Sequence, residues 1–159
     1  MLTIREIQPK DDSAISHIIT KVGQEYGAVG EGFGPSDAEV SEMSAYYTKE
    51  RRSHYFVALI DDTIVGGSGI APFNDSKVTC ELKKLFLLSE GRGVGLGKKL
   101  TLACLDMAKT LGFTHCYLDT LSSMGDAIRL YEKLGFEHLD KPLEGTLHGK
   151  CDVWMLKEL

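Results

Sequence analysis

Residues 85–99 read Leu-Phe-Leu-Leu-Ser-Glu-Gly-Arg-Gly-Val-Gly-Leu-Gly-Lys-Lys, an apolar strand that turns through four glycines into the start of a helix. Without Cβ atoms, Gly91, Gly93, Gly95 and Gly97 let the backbone turn tightly and aim several N–H groups at one anion beside the positive end of a helix dipole. Arg92, Lys98 and Lys99 add positive charge there. The segment reads as a phosphate-binding loop, and it requires a strand and a helix that meet at it.

Spacing separates the nucleotide-binding loops that use glycine. A Walker A loop needs a glycine five residues before its Gly-Lys pair and Ser or Thr after it, whereas Gly97-Lys98 has Arg92 before it and Lys99 after it. A dinucleotide G-x-G-x-x-G motif starting at Gly91 or Gly93 would need glycine at 96 or 98, where Leu96 and Lys98 stand.

What remains is Arg92-x-x-Gly95-x-Gly97, which resembles the acyl-coenzyme A pyrophosphate loop of the GCN5-related N-acetyltransferase (GNAT) family. Downstream, Ala-Ile-Arg-Leu-Tyr-Glu-Lys-Leu-Gly-Phe at 127–136 is similar to that family's second signature, a helix with a Tyr near the thiol end of the cofactor. The resemblance covers about residues 80 to 139. It implies acetyl-CoA as co-substrate, held by the backbone of Leu85 and Leu87 with Phe86 between them and by the loop Arg92, Gly93, Val94, Gly95, Leu96, Gly97 and Lys98. It also implies Tyr131 as general acid toward the departing sulfur and Glu81, at the start of the preceding strand, as the base that takes the amine's proton. Relatives often carry Asn where this chain has Met124, so either Ser122 or Ser123 supplies that polar contact or the contact is absent.

Each of these residues also has a structural reading. Tyr131 could be a core-edge aromatic, and Glu81 could pair with Lys83 or Lys84 as a strand-end charge. His115 and His148 are secondary catalytic candidates. For the acceptor pocket the candidates are Tyr26, Phe33, Tyr46, Tyr47, His148 and Trp154, with Glu25, Glu31 and Asp37 as carboxylates that could attract a cationic amine.

Composition bounds the rest. At 159 residues and 43% hydrophobic content the chain supports one compact core, and residues 1–159 are expected to form a single N-acetyltransferase domain. No apolar run nears the roughly 20 residues that span a bilayer, and Met1–Glu6 lacks the basic-then-apolar order of a secretory signal, so a cytoplasmic chain without membrane contact is expected. A net charge of −5 disfavours nucleic-acid binding. Cys80, Cys104, Cys116 and Cys151 are scattered without a C-x-x-C pair, which predicts buried thiols and no metal site.

The local patterns alternate strand and helix. Residues 2–7 alternate as a half-buried strand ended by Pro9; Asp12 or Ser13 caps a helix to about Tyr26, with Ile15, Ile18, Ile19 and Val22 inward and Asp11, Lys21 and Gln24 near solvent. Residues 27–34 hold four glycines and read as a mobile loop. Ser36-x-x-Glu39 has the form of a capping box opening a helix to about Tyr47. Residues 54–60 and 63–70 predict a hairpin across Asp61-Asp62. Gly66, Gly67 and Gly69 then weaken its second strand unless another backbone or a ligand comes close, or layers simply crowd there.

Strand 80–88, helix 95–111 and strand 115–120 make a βαβ unit, followed by a helix that starts at Ser123-x-x-Asp126 and stops at Gly135, with last strands near 137–143 and 151–158. The expected fold is α/β: a mixed, mostly antiparallel sheet with a central splayed parallel strand pair and helices on both faces. The expected activity is transfer of an acetyl group to a small-molecule amine or an exposed amino group in a ternary complex. Alternatives are a same-fold O-acyltransferase or longer-chain acyltransferase, or a noncatalytic coenzyme A sensor; apolar edges of the last strands leave a homodimer open.

Overall fold

A computed structural model describes residues 1–159. Seven strands form one sheet in the order β1-β2-β3-β4-β5-β7-β6: β1 Leu2–Glu6, β2 His54–Ile60, β3 Thr63–Pro72, β4 Thr79–Leu87, β5 His115–Thr120, β6 Glu137–His138 and β7 Val153–Glu158. The β4-β5 pair is parallel, and every other neighbouring pair is antiparallel. Helices α1 (Asp12–Glu25), α2 (the single turn Met43–Tyr46), α3 (Leu96–Thr110) and α4 (Gly125–Lys133) cover both faces. Alternation along β2 explains how: Tyr55, Val57 and Leu59 pack with α1 and α2, whereas Ala58 joins Val65, Leu96 and Leu100 under α3. A larger core on the α3 side joins Cys80, Leu82, Cys104, Cys116 and Leu118 to Tyr131 and Phe136. Cys80, Cys104 and Cys116 are buried free thiols.

The parallel pair is short. Thr79, Cys80 and Glu81 lie opposite His115, Cys116 and Tyr117, after which the strands part. From Leu82 to Leu87 β4 therefore has no strand beside it on that edge, while β5 stays paired with β7 on its other edge along its whole length. A bulge in β4 accompanies the splay: the register jumps between Gly67 opposite Phe86 and Gly69 opposite Lys83, and Lys84 adopts φ +57°. A left-handed backbone at a residue with a side chain costs free energy and marks a position the surroundings over-determine.

The glycines of β3 answer to crowding by the strands on either side, Gly66 by β4 and Gly67 and Gly69 by β2. A Cβ at Gly66 would stand 2.2 Å from the Phe86 carbonyl oxygen, so it is the neighbouring backbone, not a ligand, that excludes a side chain there. Gly66→Ala should lower stability by about 2 kcal/mol through overpacking against a backbone that cannot yield; an unchanged urea midpoint would contradict this contact.

Several local expectations fail because their polar residues are recruited elsewhere. Ser36 donates to the Gly30 carbonyl and Glu39 binds Lys83 and the Tyr47 hydroxyl, so the Ser-x-x-Glu segment gives only 3-10 turns at Gly34–Ser36 and Ala38–Glu42 before α2. Ser123 donates to the Tyr26 carbonyl at 2.9 Å and leaves α4 without a side-chain cap. Asp11, expected near solvent, is buried and accepts hydrogen bonds from Arg5 at 2.7 and 3.0 Å. The last strands are shorter than their apolar patterns.

Candidate active site

The glycine-rich loop leaves β4 through a short turn, Ser89–Gly91, and enters α3 with Gly93 and Gly95 in the left-handed region, φ +75° and +86°. Only glycine takes these angles without strain. The result is a run of free donors: the amides of Gly93, Val94, Gly95, Leu96, Gly97 and Lys98 meet no acceptor within the protein. Four of these are the orphan N–H groups that the first turn of any helix leaves, here joined by those of the preceding turn. Arg92 is placed differently from its neighbours: its guanidinium donates to the Leu87 carbonyl and to Glu25 and stacks over Tyr26, and its amide bonds Ser89. It ties the loop to the end of α1.

Below the loop lies a cleft of about 380 Å³. Leu85, Phe86 and Leu87 form one wall, Val22 and Tyr26 another, and Met124, Ala127 and Leu130 a third, with the loop residues Arg92 to Lys98 except Val94 above. Val94 is exposed. Met124 lies against this cleft, while the Ser123 hydroxyl is turned to the Tyr26 carbonyl.

Where β4 and β5 part, the cleft adjoins a smaller cavity of about 70 Å³, the two sharing Leu85, Phe86 and Met124. Glu81, at the last paired position of β4, and Tyr131, projecting from α4, both line it. The Tyr131 ring packs on Phe136 and is 6% exposed, and its hydroxyl has no hydrogen-bond partner in the protein. Burial holds its phenol well above the ordinary tyrosine range, so it stays protonated. Glu81 Oε2 stands 3.5 Å from His148 Nδ1, and the carboxylate makes no other ion pair. Of the other aromatic candidates, Phe33 and His148 line the cavity and Tyr26 the cleft, whereas Tyr46 and Tyr47 line a separate groove beyond Lys83. His115, half-buried, bonds Thr114 and is not part of the cavity wall.

The residues that sequence reasoning underrated are charged and come from distant segments. His148 is 7% exposed; its Nε2–H donates to Asp37 Oδ2 and its Nδ1–H to Asp119 Oδ1, both at 2.7 Å. Lys84, displaced inward at the bulge, donates to the same Asp37 oxygen at 2.6 Å and stands 3.7 Å from Glu39, which Lys83 meets at 2.9 Å. Thr146 and Tyr117 complete the shell of Asp119. Burial pulls the His148 pKa down, but hydrogen bonds to Asp119, Asp37 and Glu81 outweigh it and raise it to about 11. Asp37 shows the converse: burial alone would raise it, yet His148 and Lys84 hold it at about 2. Burial and nearby carboxylates push the Cys151 thiol, on the cavity wall, up to about 12. Glu81, Asp119 and His148 bring ligand atoms within 4.8 Å of one another, and the imidazole there is already engaged by Asp37 and Asp119.

Because the folded pKa of His148 is raised from an ordinary 6.5, its stabilisation is complete below about that pH and is lost as pH climbs through about 11. Asp37 contributes above its ordinary 3.8 and loses its share as pH falls through about 2. Tm should thus fall between pH 7 and 11, and His148→Gln should remove much of that slope; a variant with the wild-type slope would contradict the buried imidazolium.

The profile of the "Acetyltransferase (GNAT) family" matches residues 24–136, which include the loop, the splayed strands and the Tyr131 helix. The chain belongs to the GNAT family. It is 40% identical over 98% of its length, and 94% of that protein's, to the uncharacterized N-acetyltransferase YjgM of Escherichia coli K12. It is 31% identical over 64% of its length to the N-acetylaspartate synthetase of Xenopus tropicalis, of which it spans only 37%. Among solved structures, an acetyltransferase of Salmonella typhimurium with its cofactor acetyl-CoA superposes with a TM-score of 0.78 at 21% identity, covering 99% of this chain and 93% of that one. GNAT membership accounts for the α/β order, the parallel pair and the open β4 edge together. No helix of this GNAT chain is long and apolar enough to cross a membrane.

Proposed function

We propose that residues 1–159 act as one domain that transfers the acetyl group of acetyl-CoA to a primary amine of a small molecule or an exposed amino group. One observation carries this reading: Glu81 and Tyr131 line a common cavity, each without a tight protein partner, beside a cleft roofed by free amides. The Gly93–Lys98 amides suit a diphosphate, because they supply several N–H donors beside a helix N-terminus. The unpaired edge of β4 at Leu85–Leu87 suits the amides of a pantetheine arm, as an added strand would. Acetyl-CoA would bring a thioester carbon to the cavity. Glu81 takes the proton that the attacking nitrogen sheds, and Tyr131 gives its phenol proton to the departing sulfur.

Direct attack fits better than an acyl-enzyme. Cys151 is the cavity's one cysteine, and a thiol held near pKa 12 supplies almost no thiolate at neutral pH. The relative named for N-acetylaspartate raises an amino acid as acceptor; the ion pairing around the cavity argues against it. Calorimetric titration with coenzyme A, followed by thiol release and product mass across an amine panel, tests the reading. Binding with amine-dependent release is expected; binding without release makes the chain a sensor, and a mass gain on oxygen or from a longer acyl donor points to a different transferase. Arg92→Glu should weaken coenzyme A binding about tenfold, more at low salt, since it sets a second carboxylate beside Glu25 near the diphosphate. A normal dissociation constant would remove Arg92 from the site.

A further inference from the structure

We propose that the acceptor cavity selects amines bearing no carboxylate on the amine-bearing carbon, so that an α-amino acid is a poor substrate where its decarboxylated amine is a good one. This rests on the N-acetyltransferase reading above and adds a substrate class to it.

The charges of the cavity are nearly all paired. Three cations line the cavity, Lys83, Lys84 and His148, and each already has its carboxylate. Lys83 meets Glu39 at 2.9 Å; Lys84 meets Asp37 at 2.6 Å; His148 meets Asp37 and Asp119 at 2.7 Å each. These cations are also walled in, with side-chain exposures of 12%, 1% and 8%, so none can swing out toward a ligand. Glu81 is the carboxylate left over. Its one ionic contact is the 3.5 Å approach to a histidine that two closer carboxylates already hold. The set is therefore one positive charge short, and the shortage is at the residue that faces the acceptor.

An ammonium arriving beside Glu81 completes the set. A carboxylate one carbon away from that ammonium restores the shortage, and it does so next to Glu81 and Asp119 with no free donor cation to meet it. In a cavity of low effective dielectric such an unpaired charge is costly. Lys150, the other cation of the covering loops, stands over the Phe33 ring and is not part of the cavity wall.

The test compares matched acceptors with the intact chain and acetyl-CoA: ethanolamine against serine and serinamide, isobutylamine against valine and valinamide, phenethylamine against phenylalanine and phenylalaninamide. Each amine should exceed its amino acid at least tenfold in kcat/KM, and each neutral amide should recover most of the difference. Amino acids equal to or better than their amines overturn the proposal. So do amides as poor as the acids, since bulk and not charge would then be excluded. No transfer to any acceptor, with coenzyme A bound normally, overturns the N-acetyltransferase reading and the preference together. Asp37→Asn, which leaves Lys84 and His148 with spare positive charge, should narrow the amine-to-acid ratio several-fold; an unchanged ratio would remove the paired cations as its cause.

Discussion

Tyr131→Phe should lower kcat about 100-fold, the usual scale for losing a positioned general acid, while leaving the dissociation constant of coenzyme A within about threefold. The split follows from the surroundings. The ring packs on Phe136 and its burial is shared by both residues, so phenylalanine keeps the packing and loses only an oxygen that bonds nothing in the protein. Burial holds the phenol well above its ordinary range, so the wild-type acid stays protonated through neutral and mildly alkaline pH, and no loss of rate from its ionisation is expected there. The measurement is a pair of kcat profiles from pH 6 to 10 with coenzyme A titrations beside them. Equal profiles would assign Tyr131 to the core alone.

The second large effect is expected at Glu81. Glu81→Gln keeps the size and the position at the end of the β4-β5 ladder while removing the acceptor for the amine's proton. Near neutral pH most of a primary amine arrives as ammonium, so kcat/KM should fall by about 100-fold. The deficit should shrink as pH rises, because more of the amine arrives already neutral and needs no base. A deficit that stays constant with pH would point to a purely electrostatic or structural contribution from Glu81, and no deficit would remove it from the chemistry.

Much of this site was legible because its signals are local. A glycine-rich turn between an apolar strand and a helix is written in consecutive residues, and Gly95 and Gly135 take the left-handed angles that such positions require. Strand β5 has the bounds expected from its sequence, and β4, α3 and α1 differ by a residue or so at their ends. The misreadings have a common cause. Ser36 and Glu39 have the spacing of a cap, but Glu39 is needed by Lys83, Lys84 and Tyr47, residues whose proximity depends on the whole sheet. Asp11 has the local sequence setting of a surface charge, and the Arg5 that binds it lies in the preceding strand.

The electrostatic centre was hidden for the same reason. Asp37, Lys84, Asp119 and His148 come from four segments, and only the bulge at Lys84 and the loop after β6 bring them to one place. No spacing in the chain announces that meeting. The strained φ of Lys84 is the signal that the structure adds, at a residue whose sequence context offers only a pairing with Glu81.

The central claim is geometric, and a crystal structure of the complex with coenzyme A tests it most directly. The account predicts diphosphate oxygens accepting from the Gly93–Lys98 amides, the pantetheine along Leu85–Leu87, and the sulfur within hydrogen-bonding reach of the Tyr131 hydroxyl. A coenzyme bound elsewhere, or one whose thiol ends away from Tyr131 and Glu81, would contradict it.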